Sequence, residues 1–350
     1  MPNYNKGKFI KETLDSVLNQ SYTNWECIIV DDHSTDDSWQ VIESFAVKDS
    51  RFRVYKRPAE LAKGGNVCRN YAFREAKGDY IIYLDSDDIL AKWCVKERIS
   101  NSLMMSDYDL LVYPGMIFKN SPGDSNLIWN QINDIHPIYR FLYGDIPWSI
   151  TGPFFKRSFL VTNNIIWDES LLDWQDADYN LRALLAGANT LEMNSIPDYF
   201  VRSSSVRNNN VSRGEFKTAN IESRCSMFSK WTNLIQSSKV ASLNLSACRK
   251  MLAGNMLIQV RTIILSNTDF NFDKWFKSVY KIIQNPILAV ILKGYIFLLI
   301  RFRKRRGFHF FIFKVVEPLI PGFYLKRNSF PLQVELNKNV YMSVLKTLNS

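Results

Sequence analysis

"YIIYLDSDD", residues 80–88, runs apolar and aromatic residues straight into three carboxylates with one serine among them. The apolar part, 79–84, reads as a buried strand because it is short, rich in β-branched and aromatic residues and bounded by Gly78. Two further runs resemble it. "WECIIV" (25–30) ends on Asp31 and Asp32, and "FRVYKR" (52–57) alternates as a strand. Helical signals lie between these runs. Ile10, Leu14, Val17 and Leu18 recur at helical spacing, and "STDDS" supplies a turn and N-cap before Trp39, Ile42, Phe45 and Ala46. "NVCRNYAFREAKG" (66–78) predicts a helix stopped by Gly78. Strands alternating with helices in this way predict an α/β fold: a Rossmann-like, mostly parallel sheet with helices on both faces and the 79–84 strand at its centre. Ligands of such sheets bind beyond the carboxyl ends of the strands. Both acidic clusters, Asp31-Asp32 and Asp85 to Asp88, fall at that rim.

A chain of 350 residues with 46% hydrophobic content buries a sizeable core. Five scattered cysteines lack the close pairs of zinc sites or disulfide frameworks, which points to a reducing compartment. Met1 leads into "PNYNKGKF" with no apolar leader, so the catalytic part is expected in the cytoplasm. The net charge of +10 is not spread evenly. Twelve Lys or Arg and one acid, Glu317, fall between Lys274 and Arg327, which leaves the rest of the chain close to neutral. A basic tail on a neutral body argues against nucleic acid and for a localised anionic partner.

Asp85 and Asp87, one residue apart at a strand end, suit a hard divalent cation that prefers oxygen ligands. A bare Asp-x-Asp is also what a solvated acidic turn looks like, and the surrounding order of motifs decides between the two. A Tyr-Asn pair, a helix, an Asp-Asp strand end followed by Ser34, "GGNVCRN" and "DSDD" succeed one another over residues 1 to about 210. In that order they resemble family 2 glycosyltransferases of the GT-A fold. His33 departs from the resemblance, standing in a turn where Gly or Asn is more usual.

The resemblance implies a nucleotide-sugar site. It places Tyr4, Asp31, Asp32 and Arg69 on the nucleotide, Asp87 and Asp85 on Mg²⁺ or Mn²⁺ with Asp85 also near the ribose, and Thr151 and Gly152 against the donor sugar. Asp176, in "LLDWQDADYNLRALLAGAN", stands where the family's Glu-Asp pair puts the catalytic base, with Gln175 in place of the Glu. An Asp there also favours the N-terminus of the following helix. Trp174 is a candidate to stack on the acceptor. "YFVRSSSVRNNNVS" offers Arg202 and Arg207 as a cationic clamp on the diphosphate, without the histidine that family members carry.

The implied activity is inverting transfer of a sugar from a nucleotide-diphosphate donor, a UDP-sugar, to a hydroxyl of a glycan or lipid-linked acceptor, in cell-surface polysaccharide synthesis. Three segments follow: a GT-A domain over 1–210, a helical extension over 211–285, and a basic, apolar tail over 286–350. "PILAVILKGYIFLLI" (286–300) carries Lys293 at its middle and is short of the roughly 20 apolar residues that span a bilayer. It is expected to lie peripherally on the anionic inner face of the membrane. Because the family's first strand precedes Pro-x-Tyr-Asn, the chain is also expected to start inside that strand. Two other classes fit the sequence less well. A phosphoacceptor module leaves Asp176 and the tail unexplained, and an inactive glycan-binding or membrane-scaffold protein of the same fold would have no need of intact Asp85, Asp87 and Asp176.

Overall fold

In the computed structural model, which describes residues 1–129, 134–203, 218–265, 286–302, 334–335 and 337–349, the N-terminal strands are parallel. Pro2–Asn3 (β1) lies beside Cys27–Asp31 (β2), and β2 beside Phe52–Lys56 (β3), with Val30 opposite Pro2 and Ile29 opposite Val54. Met1 is buried, and its carbonyl accepts from Val30 N–H at 2.9 Å. Helices Gly7–Leu18 (α1), Ser38–Lys48 (α2) and Gly65–Glu75 (α3) connect and cover these strands. α1 and α2 bury Ile10, Leu14, Ile42 and Phe45 against Ile29 and Phe52, while α3 buries Cys68 and Ala72 against Ile28 and Val30. Each fully buried aliphatic side chain of this kind contributes about 1.5–3 kcal/mol.

Further along, the parallel expectation gives way to mixed pairing. Tyr80–Ile81 (β4), Leu110–Val112 (β6), Pro153–Lys156 (β9) and Thr190–Glu192 (β10) form a sheet in the order β10-β6-β9-β4, in which only β10 and β6 are parallel. Ile89–Leu90 (β5), Gly115–Phe118 (β7), Leu127–Trp129 (β8), Tyr199–Arg202 (β11) and Val334–Glu335 (β12) form a third sheet, with β7 and β11 its parallel pair. The 79–84 strand is thus at a sheet edge and pairs only over Tyr80–Ile81. Beyond Ile81 it leaves the ladder, and Tyr83 instead packs edge-on to Trp167 and Tyr179 with its hydroxyl 3.0 Å from that of Tyr179. The α3 helix ends at Glu75, three residues short of Gly78, because the Lys77 and Gly78 amides turn onto the Glu26 carboxylate.

Beyond Cys94–Met104 (α4), the largest core joins the second sheet to helices Pro137–Tyr143 (α5), Arg157–Thr162 (α6), Gln175–Leu185 (α7), Thr218–Gln236 (α8) and Leu245–Leu265 (α9), with Trp148, Trp167 and Trp231 fully buried in it. Side chains of α8 hold α7 and the loop before it. Trp231 Nε1 donates to Asp178 at 2.9 Å, and the Arg224 guanidinium donates to Asp173. The helix Pro286–Phe302 lays Tyr295, Ile296 and Leu299 on the same core and leaves Val290, Phe297 and Leu298 exposed. Among the described residues no helix is long and apolar enough to cross a membrane. All five cysteines are free thiols.

Candidate functional site

Ion pairs and hydrogen bonds link the ends of β1 and β2 and the turn after β4 to the starts of α1, α3 and α7. Asp31, the last residue of β2, faces inward. One carboxylate oxygen accepts from Asn3 Nδ2 (2.7 Å) and Ser34 Oγ (2.6 Å), and the other from Ser34 N–H (2.8 Å). With both oxygens engaged and the residue buried, Asp31 ties β1 to the turn after β2 rather than facing the cleft. Asp32 accepts from Arg57 Nε at 2.5 Å and from Gly64 N–H at 3.0 Å, which draws the 58–64 loop toward it. His33 has φ of 57°, the left-handed region where a side chain other than Gly or Asn is uncommon, and its ring bonds the Arg57 carbonyl. That backbone conformation explains why Gly or Asn is more usual at this turn, where His33 stands instead.

Tyr4 is exposed, with Lys63 Nζ 3.9 Å above its ring. Asn5 takes φ of 50° and accepts from Thr35 N–H, so the Tyr-Asn pair divides its work: Asn5 shapes the turn and Tyr4 is presented outward.

Asp85, Asp87 and Asp88 bring three carboxylate oxygens within 4.8 Å of one another on a turn closed by Asp88 N–H to the Asp85 carbonyl. Three close carboxylates form the all-oxygen donor set that Mg²⁺ or Mn²⁺ requires, so the residues fit such an ion. Cationic groups surround the turn. Lys6 Nζ is 2.6 Å from Asp87, and Arg69 Nη2 is 2.8 Å from Asp85. Arg202, expected as a clamp at the rim, lies beneath the turn instead. Its backbone N–H meets Asp88 and its Nε meets the Asp87 carbonyl, both at 3.0 Å, and Glu12 takes its Nη2. The guanidinium is packed between Phe9 and Phe118, so it is buried and committed to shaping the acidic turn. Arg207 lies outside the described residues.

Arg69 links this turn to α7. Its guanidinium lies on the Trp167 ring and reaches Gln175 Oε1 at 3.3 Å, next to half-buried Asp176 in the first turn of α7. Burial opposes the Arg69 charge, but Asp85 and Asp176 outweigh it and raise its pKa. Trp174 precedes this turn with φ of 56°. Its indole packs edge-on to Phe228 and against Gly144 with Arg224 over it, so the half-buried ring contributes to the α8 contact. Thr151 and Gly152 are buried at the start of β9. The Thr151 carbonyl accepts from Arg98, itself paired with Asp198, while the Thr151 hydroxyl has no partner among the described residues. Lys6, Lys63 and Glu12 escaped sequence reasoning. The one available signal was for Lys6, a cation directly after Tyr-Asn and before the first helix.

Residues 1–146 match the model described as Glycosyl transferase family 2. These residues are a family 2 glycosyl transferase domain. Among curated relatives, the chain is 34% identical over 126 residues to Glycosyltransferase GlyG of Streptococcus pneumoniae, which covers 36% of this chain and 40% of that one. It is 44% identical over 100 residues to the E. coli UDP-Glc:alpha-D-GlcNAc-diphosphoundecaprenol beta-1,3-glucosyltransferase WfaP, covering 29% and 37%. The chain therefore spans less than half the length of these two relatives. Among solved structures, S. aureus TarS 1-349 in complex with UDP-GlcNAc superposes with a TM-score of 0.63 at 18% identity, covering 87% of this chain and 85% of that one. This likeness establishes the GT-A fold for the domain.

Proposed function

We propose that the chain is a metal-dependent, inverting glycosyltransferase that moves a sugar from a UDP-sugar to a hydroxyl of a lipid-linked or polymeric glycan. The observation that carries the reading is the Arg69 bridge, which puts a metal-suited acidic turn and a helix-borne carboxylate into one cleft. Tyr4 stacks on the base and Asp32 bonds it. Asp85 and Asp87 hold the cation, which when bound offsets charge on the departing diphosphate. Thr151 offers its hydroxyl to the donor sugar. Asp176 takes the proton of the acceptor hydroxyl as that oxygen attacks the anomeric carbon from the side opposite the diphosphate, so configuration inverts in one displacement.

The relatives support the substrate class. WfaP is named for transfer onto a diphosphoundecaprenol-linked sugar, and TarS was solved with UDP-GlcNAc. A membrane-linked acceptor agrees with the helix Pro286–Phe302, whose exposed stripe sets Val290 and Phe297 beside Lys293 and Arg301. Apolar residues flanked by cations suit peripheral binding to an anionic leaflet. In this reading 1–210 is the transferase domain, 211–285 the helical extension and 286–350 the membrane-associating tail. The test is a panel of nucleotide sugars scored for nucleoside diphosphate release with and without Mn²⁺. Release from one donor only with the metal supports the reading, and none from any donor leaves the binding or scaffold role.

A further inference from the structure

Lys6 holds Asp87 Oδ2, one of the two carboxylate oxygens that Asp87 can offer a divalent cation. Its Nζ is 2.6 Å from Asp87 Oδ2, and the two side chains are 16% and 3% exposed, so the pair is largely shielded from water. An ammonium at hydrogen-bond distance and a metal ion both require the oxygen lone pairs on that side of the carboxylate. They compete for it.

The backbone of Lys6 is not free to follow its side chain. Its N–H donates to Ser38 Oγ at 2.8 Å, and its carbonyl accepts from Phe9 and Ile10 at the start of α1. Arg202 cannot yield either, being packed between two phenylalanines and tied to Glu12. Of the cations around the turn, Lys6 is a point charge on a flexible four-carbon stem and makes its one side-chain bond, among the described residues, to Asp87.

We infer that Lys6 is an internal counter-ion that holds the Asp87 carboxylate in the absence of substrate and moves onto the diphosphate when donor and cation enter. The inference rests on the glycosyltransferase reading. Its consequence is that metal and nucleotide bind cooperatively. The cation alone must displace Lys6 and strand an ammonium, whereas the diphosphate supplies the displaced ammonium with a new partner. A nucleoside diphosphate thereby pulls Lys6 off Asp87 and opens the carboxylate to the metal.

The test is Mn²⁺ binding, read as loss of the free-ion electron paramagnetic resonance signal, for the wild type, Lys6→Met and Lys6→Arg, each with and without UDP. Wild type is expected to bind Mn²⁺ weakly alone and much more tightly with UDP. Lys6→Met is expected to bind Mn²⁺ alone about tenfold tighter, the order of one charge-assisted hydrogen bond, and to gain less from UDP. Calorimetry without metal should show its UDP affinity several-fold weaker, and Lys6→Arg should restore weak metal binding. Equal Mn²⁺ affinity of wild type and a folded Lys6→Met without UDP overturns the inference and leaves the reading standing. Failure of every protein to bind Mn²⁺, with or without UDP, overturns both.

Discussion

The Arg69 guanidinium reaches the Gln175 side chain at 3.3 Å while its other terminal nitrogen holds Asp85, so one residue of α3 fixes the spacing between the acidic turn and the start of α7. A lysine has the charge but not the fork that spans two acceptors. Arg69→Lys is therefore expected to stay folded and lose about 10- to 100-fold in turnover, the equivalent of one or two charge-assisted hydrogen bonds. Nucleoside diphosphate release beside a circular dichroism melt checks it; unchanged turnover would remove the bridge from the mechanism.

In the proposed mechanism Asp176 acts on the acceptor alone. Asp176→Asn is expected to bind the donor within about twofold of wild type and to lose roughly 100-fold or more in transfer, the range of general-base contributions. Calorimetric titration with the nucleotide and a transfer assay separate the two quantities. Equal loss in both would move Asp176 to the donor.

The carboxylates of the turn differ in exposure, 3% for the side chain of Asp87 against 28% for Asp85. The more enclosed group is the better anchor for a cation, so Asp87→Asn should raise the Mn²⁺ concentration needed for half-maximal activity more than Asp85→Asn does. A chelator should abolish turnover and added Mn²⁺ restore it; full activity in excess chelator would contradict the metal role.

Thr151 carries a buried hydroxyl without a partner among the described residues. Leaving such a group unbonded costs about 1–3 kcal/mol, so Thr151→Val is expected to match or exceed wild type in thermal stability. If the hydroxyl serves the donor, the same variant shows a raised KM. A drop in melting temperature with unchanged KM would make the hydroxyl structural.

Glu192 gives a pH signature. Burial lifts its pKa to about 7, because Arg140, 4.0 Å away, is already bonded to Asp145 and opposes the shift only weakly. Unfolded, the group titrates near about 4.3. Between those values the folded chain binds the extra proton, so this contribution to stability is full below about 4.3 and is lost as pH rises to about 7. Glu192→Gln should match wild type at pH 4 and exceed it at pH 8 by up to about 3 kcal/mol. Equal denaturant midpoints at pH 8 would refute the shift.

Much of the N-terminal half was legible because its signals are local. Cys27–Asp31 and Phe52–Lys56 pair where the apolar runs lie, and α2 begins at the end of the "STDDS" cluster. The place of the 79–84 strand was not legible, since its edge position depends on antiparallel pairing with β9, more than 70 residues away. Asp31 and Asp32 look identical in sequence. What divides them is Asn3 and Ser34 on one side and Arg57 and Gly64 on the other, a difference set by the turn geometry at His33. Arg202 and Trp174 were placed on the substrate by their residue type, and the structure turns both toward packing partners that sequence spacing does not reveal, Phe9 and Phe118 for one and Phe228 for the other.

The bonds from Trp231 to Asp178 and from Arg224 to Asp173 bear on how such enzymes are recombined. A chimera that exchanges residues 1–146 for those of a relative cuts neither bond. One joined just after α7 cuts both, and it inherits Asp176 on a helix that has lost these two α8 bonds. Grafting α7 and its partners onto a relative therefore calls for carrying Asp173 through Trp231 as one inseparable cassette.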